Sequence, residues 1–254
     1  MTTNPSPAPP SLAEVYEQYF TMVRADTPAL REVAFRLRYQ VYCVENAFED
    51  PSHFPDRMEY DAYDRRAVHA LLVHRPTGNV AGTVRLILPD GGRPTDLPFH
   101  SVCRNRAPFP PGSTAEISRF AISKDFRRRQ SDGLYPDEHS VAHDDTSGPT
   151  DQRLIPTMAI GLMREIARMS AEQGVTHWCA VMMPALLRLL GRLGIHFHPA
   201  GPPVQYHGRR QPCYRDGIEL LEQVRTEQPG IWAFLSDEGR LFSARETARA
   251  SANR

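Results

Sequence analysis

Several charged residues stand inside segments whose neighbours are apolar. Arg85 interrupts VAGTVRLIL (80–88), and Glu116 and Arg119 interrupt AEISRFAI (115–122). An unpaired charge inside a sheet is strongly disfavoured, because the solvation it had in water is lost and nothing replaces it. Each of these residues therefore calls for an ionic partner or a wet cleft. Upstream, Arg36, Arg38, Glu45, Asp61 and Asp64 offer both signs, enough for a buried ion-pair network joining a helix, its following loop and a sheet. The bland alternative, polar strand faces at a sheet edge, accounts for any one of them well and for the whole set poorly.

Other chemistries find less support. The chain has no G-x-S-x-G, G-x-x-x-x-G-K-[ST] or G-x-G-x-x-G, so serine hydrolase, P-loop and Rossmann readings lose their basis. His196 and His198 would share a face on a strand, but no third ligand is near in sequence and no metal site is expected. Cys43, Cys103, Cys179 and Cys213 are far apart and form no C-x-x-C pair, which indicates neither a zinc ribbon nor a disulfide framework and fits a reducing cytoplasm. Thirty Lys+Arg balance thirty Asp+Glu, removing the overall electrostatic drive of a nucleic-acid binder. With 41% hydrophobic and 24% charged residues over 254, the chain can bury a real core. Its apolar runs are too short to cross a bilayer.

The elements that must position these charges follow from periodicity and punctuation. Residues 1–10 read as a disordered lead-in, 11–235 as a single domain and 236–254 as a C-terminal tail. Ser11 and Glu14 form a capping box, and Leu12, Val15, Tyr16, Tyr19 and Val23 repeat at helical spacing, predicting a first helix over about 12–24. Thr27-Pro28 opens a second helix carrying Arg36, Arg38 and Tyr42 near its end. Segments 67–74 and 80–88 flank Pro-Thr-Gly-Asn and read as a hairpin, with 115–122 as a further strand. Residues 127–150 read as a mobile loop. A helix striped by Met158, Leu162, Ile166 and Met169 stops at Gly174, a strand covers 176–182, and Pro184 opens a short helix closed by Gly194. Ile195–Phe197, Val204–Tyr206 and Ile218–Val224 are the candidates for final strands. The order predicts an α/β fold, a mixed sheet with helices on both faces.

Arg38, Tyr42 and Phe48, then Asp61-x-x-Asp64, then Arg85 in G-T-V-R-L, then Glu116 and Arg119 in E-I-S-R-F-A-I together resemble the signature of acyl-homoserine-lactone (autoinducer) synthases. Long-chain N-acyl amino acid synthases and the acyltransferases associated with PEP-CTERM/exosortase systems resemble it more closely in texture, and the segments 38–49 and 194–214 particularly resemble the exosortase-associated group. The likeness runs from about residue 31 to about 225. All are GNAT-superfamily acyltransferases, and the resemblance implies that superfamily's mixed, mostly antiparallel central sheet. It also implies a bulge in the strand 115–122. In a regular strand Glu116 and Arg119, three apart, face opposite sides; a bulge shifts the alternation so that both serve one cleft. Such a bulge parts two strands and leaves backbone N–H groups for a thioester carbonyl and its oxyanion, here expected near Phe120 to Ile122.

The reaction so implied is amide formation from an acyl thioester, which requires a neutral amine. Glu116 is the expected base, directly or through water, with a salt bridge to Arg85 or Arg119 as its alternative role. Asp61 and Asp64 are rival bases or bind and orient the amine. Arg85 and Arg119 organise these carboxylates or grip an acceptor carboxylate. Arg38, Tyr42, Phe48, Asp61, Asp64, Phe120 and Ile122 are expected to bind substrate. A thiol nucleophile is weighed against: Cys43, Cys103 and Cys179 have no His or Asp pattern beside them. The stretch Gln130-Ser-Asp-Gly133-Leu-Tyr135 matches the superfamily's coenzyme A loop only in part and is separated from the next helix by about twenty residues. That departure is consistent with acyl carrier protein, for which Arg127, Arg128 and Arg129 would form a basic patch. Acyl carrier protein or coenzyme A is thus a co-substrate, and no tightly bound cofactor is expected. An apolar tunnel for the chain is expected around Met158, Leu162 and Met169, with Met182 and Met183 contributing. The competing readings are lactone synthesis from S-adenosylmethionine and a non-catalytic acyl-binding module. A cytoplasmic bacterial protein, free or loosely membrane-associated, fits all three.

Overall fold

The computed structural model describes residues 10–90, 97–103, 110, 112–127 and 154–241. An eight-stranded sheet, ordered β1-β2-β3-β4-β5-β8-β6 with β7 paired to β8, forms its centre. Every pairing is antiparallel except β4 with β5. The strands are β1 (Phe20–Arg24), β2 (Ala67–His74), β3 (Val80–Ile87), β4 (Thr114–Ile122), β5 (His177–Met182), β6 (His198–Pro199), β7 (Val204–Gln205) and β8 (Arg209–Asp216). The helices are α1 (Leu12–Tyr19), α2 (Pro28–Tyr39), α3 (Phe99–Val102), α4 (Lys124–Arg127), α5 (Leu154–Glu172), α6 (Pro184–Arg192), α7 (Gly217–Glu227) and α8 (Pro229–Ser236).

Helices cover both faces, and the alternation along β2 shows how. Ala70 and Leu72 point into the main core with Met158, Leu162 and Ile166 of α5, whereas Leu71 between them packs with Ala34 of α2. A third cluster gathers Ile87, Phe99 and Cys179. Because Glu116 pairs with Ile87 on one side and Cys179 on the other, its side chain belongs to the face that α2 and α3 cover, away from α5.

The helix expected over about 12–24 ends at Tyr19. Ser11 caps α1 with Glu14 completing the box, but the chain turns extended at Phe20 and residues 20–24 pair with His74–Ala70. Phe20, Thr21 and Val23 suit a strand, and pairing to β2 outweighs the helical spacing of the apolar residues. The C-terminal strands also need correction. Ile218–Val224 lies in α7, capped by Asp216, whose carboxylate accepts from the N–H groups of Ile218 and Glu219; Ile218, Leu220, Leu221 and Val224 form its buried stripe. The last long strand is Arg209–Asp216, and Ile195–Phe197 is not a strand. Most of the stretch 127–150 and the coenzyme A-like segment 130–135 lie outside the described residues. Among those described, no helix is long and apolar enough to cross a membrane.

Candidate active site

The charge cluster begins at the end of α2. Thr27 caps this helix and Pro28 sits in its first turn. It runs on into a π-helical segment, Gln40–Glu45, the widened turn that often marks functional positions. The Tyr42 carbonyl accepts from the N–H groups of Phe48 and Glu49 at 2.7 and 3.2 Å, folding the following loop back so that Tyr42 and Phe48 face each other at 6.1 Å.

Arg38 is fully buried. Its Nε donates to Glu59 at 2.5 Å, and its Nη1 and Nη2 donate to the two oxygens of Asp64 at 2.7 and 3.2 Å. The D-x-x-D spacing has a local cause: Asp61 caps the 3-10 turn Ala62–Arg66 and accepts from Tyr63 N–H, while Asp64 accepts from the N–H of Asp61 at 2.7 Å. That box turns both carboxylates toward the sheet. Arg85 Nη1 reaches Asp61 and Asp64 at 2.7 Å each, and its Nε donates to Ser118 Oγ at 2.9 Å. Arg119 grips Glu59 with Nε and Nη2, the shortest contact being 2.7 Å, and touches Asp61 at 3.4 Å. Three arginines thus face three carboxylates. Burial raises the Glu59 carboxyl, but Arg38 and Arg119 together outweigh it and hold it at about 2. Asp64 is likewise held well below the carboxylate range, with Arg38 and Arg85 outweighing its burial. Beside them His69, pushed down to about 4 by burial, stays neutral.

β4 carries the expected bulge. Thr83 pairs with Ala121 but Arg85 with Ser118, so β4 has one residue more than β3, and Arg119 has φ +51°. A left-handed conformation is costly for a residue with a Cβ, and here the grip on Glu59 and the Tyr42 ring 5.2 Å from the guanidinium carbon hold it. The inserted residue puts Glu116, Ser118 and Arg119 toward the same side. The register between β4 and β5 ends at Ile117 opposite Ala180, while β4 continues to Ile122. In the resulting split lies a cavity of about 190 Å3, lined by Arg85, Glu116, Arg119, Phe120 and Ile122 among others, with Tyr42, Phe48 and Asp61 on one wall and Met182, Met183 and Leu186 on another.

Glu116 differs from the other carboxylates. It is buried, it accepts a hydrogen bond from Phe99 N–H at 2.7 Å, and no arginine forms an ion pair with it among the described residues. Burial pushes its carboxyl up to about 7, against the smaller opposing pull of the Phe99 N–H and of Arg85 and Arg119. That value poises Glu116 to exchange a proton near neutrality.

Residues 37–135 match the acetyltransferase (GNAT) domain model. Solved structures agree on the GNAT fold. TofI, crystallised with an inhibitor and MTA, has 23% identity and a TM-score of 0.56 over 82% of this chain and 94% of its own. BjaI, a coenzyme A-dependent acyl-homoserine lactone synthase with SAM and isopentyl-CoA, has 18% identity and a TM-score of 0.56 over 82% and 88%. FeeM, an N-acyl amino acid synthase from uncultured soil microbes, has 16% identity and a TM-score of 0.53 over 82% and 96%. No curated protein matches the sequence.

Several of the expected residues stand elsewhere. Met158, Leu162 and Met169 are wholly buried core under the sheet, so the apolar wall of the cavity comes from Ile117, Phe120, Met182, Met183 and Leu186 instead. Glu45 lies at the far end of β4, accepting from Ser123 Oγ and Lys124 N–H. Arg127 closes α4, and Arg128 and Arg129 lie outside the described residues. All four cysteines are buried; burial pushes Cys43 up to about 11 and Cys179 and Cys213 higher, which disfavours a thiolate nucleophile. Among the described residues no group of His, Cys, Asp and Glu is arranged for a metal, and His196 lies beside Glu227 at 3.1 Å. Glu59, the hub of the network, was not anticipated; its place two residues before Asp61 in E-Y-D was the available signal. Tyr206, His207 and Arg210 also line the cavity, and only the fold of the β7–β8 hairpin brings them there.

Proposed function

We propose that the protein is an N-acyltransferase that moves a fatty acyl group from a thioester of acyl carrier protein or coenzyme A to the amine of an amino acid or similar small acceptor. The observation that carries this reading is Glu116: a buried carboxyl with no arginine partner among the described residues, facing the split between β4 and β5. An ammonium has no lone pair with which to attack a thioester, and Glu116 as carboxylate takes its proton, directly or through water. The amine nitrogen then bonds to the thioester carbon. The C–S bond of the tetrahedral intermediate then breaks, and the proton that the nitrogen sheds on becoming an amide passes to the sulfur, so that the carrier leaves as a thiol. Backbone N–H groups along Phe120–Ile122, beyond the last β5 pairing, are suited to the oxyanion. Arg85 and Arg119 act by fixing the carboxylates rather than by touching the reacting atoms. Asp61, part-exposed where Asp64 is buried, is placed to orient the ammonium before it loses its proton. Ile117, Phe120, Met182, Met183 and Leu186 offer the acyl chain an adaptable apolar surface.

Mass spectrometry of lipids from cells making the protein tests the reading. New acyl amides are expected. Acyl lactones would favour synthesis from S-adenosylmethionine, and no new product would favour an acyl-binding module. Glu116→Gln keeps the shape and the bond from Phe99 but cannot accept the proton, and turnover should fall at least 100-fold, the usual span of general-base catalysis being about 10²–10⁴. Undiminished turnover removes Glu116 as the base.

A further inference from the structure

Of the cations around the cavity, Arg38, Arg85 and Arg119 are spent on Glu59, Asp61 and Asp64. Arg210, at the start of β8, is not. It lines the same cavity as Glu116, and among the described residues no carboxylate forms an ion pair with it. Among the described residues its guanidinium makes one hydrogen bond, from Nη1 to the carbonyl of Arg209, and that bond is long at 3.5 Å. The Phe48 ring lies 4.8 Å from its guanidinium carbon, covering a face of the plane and leaving donors on its edge. Such an edge matches the two oxygens of a carboxylate. Burial already disfavours its charge, with Tyr42 opposing, and a bound anion would relieve that cost.

Elsewhere around the cavity Arg85 and Arg119 are matched by Glu59, Asp61 and Asp64, and His207 lies 3.5 Å from Glu49. Asp61, Glu49 and Glu116 repel a carboxylate and attract an ammonium. A small zwitterion would therefore settle in one orientation, its anionic end at Arg210 and its amine toward Glu116. Resting on the N-acyltransferase reading, we propose that Arg210 is the carboxylate anchor of the acceptor site, and that the acceptor is an α-amino acid or comparable amino-carboxylate rather than a simple amine.

The test pairs each α-amino acid with the amine left by removing its carboxylate, using hexadecanoyl thioesters of coenzyme A and of acyl carrier protein and mass spectrometry of the products. The wild type should favour the amino acid within a pair. In R210Q the ratio of the two kcat/KM values should fall by about 100-fold, the worth of a charge-assisted pair, and R210K, which keeps the charge without the planar fork, should lie between. Because the ratio is taken within one variant, loss of folded protein cancels; if R210Q makes no product at all, the R210K ratio decides. Wild-type indifference to the carboxylate, or equal losses for both members of each pair, overturns the assignment while leaving N-acyl transfer standing. No acyl amide from any acceptor overturns both.

Discussion

Two buried glutamates, Glu59 in the loop before Asp61 and Glu116 on β4, show opposite proton behaviour, and the difference lies in their partners. Among the described residues Glu59 has two arginines and Glu116 a single backbone N–H. With its carboxyl raised from 4.5 to about 7, native Glu116 holds a proton that the unfolded chain has already released. Stability is therefore lost as pH rises from about 4.5 through 7, to a total of roughly 3 kcal/mol. Glu116→Gln removes that penalty. Its melting temperature relative to wild type should rise between pH 5 and pH 8, and a flat difference would show that the carboxyl titrates normally. As the proposed base Glu116 must be ionised, so kcat/KM should climb with pH through an apparent value near 7. The residue types of this site were legible in the sequence, because charges inside apolar strands stand out. Their individual roles were not: Arg85 and Arg119 offered themselves equally as partners of Glu116 and as partners of the aspartates, and only distances separate the two.

At the scale of elements, the bulge in β4 does most to build the cavity. It inserts Arg119 on the face of Glu116 and comes just where β5 stops pairing with β4. Gly82 of β3, opposite Ile122, keeps the strands close at this point: a Cβ there would meet the Ala121 carbonyl oxygen at 2.8 Å. Backbone cannot swing aside as a side chain can. Gly82→Ala should cost about 1–3 kcal/mol and lower turnover further by displacing the end of β4. Chemical denaturation and a kinetic assay check the two effects, and an unchanged variant would mean that β4 yields freely. The hairpin of β2 and β3, the helix α5 and the strand β5 were visible from periodicity. The change from helix to strand at Phe20 and the helix at Ile218–Val224 were misread, since short apolar runs satisfy both periods and only pairing partners or buried faces decide between them.

Across the whole molecule, the network of three arginines and three carboxylates ties α2, the turn at Ala62–Arg66, β3 and β4 into one unit behind the cavity. Glu59 is its hub, and removing its charge leaves Arg38 and Arg119 short of compensation in a buried place. Glu59→Gln should destabilise the protein by about 3 kcal/mol, lowering the melting temperature by roughly 6–12 °C. Wild-type stability from this carboxylate, present above pH 4.5, should fade as pH falls toward 2, and E59Q should lack that part of the acid sensitivity. Acid titration of both proteins by circular dichroism measures it; identical curves would show that the network adds nothing. From the sequence by itself came the fold class, the positions of the helix caps and turns, and the set of charged residues that had to converge, because local periodicity and the penalty on buried charge act wherever the chain goes. Which carboxylate each arginine holds, which glutamate is left to titrate, and that Arg210 reaches the same cavity from the far end of the chain were decided by tertiary structure alone. Those are contacts between segments distant in sequence, and nothing local encodes their distances.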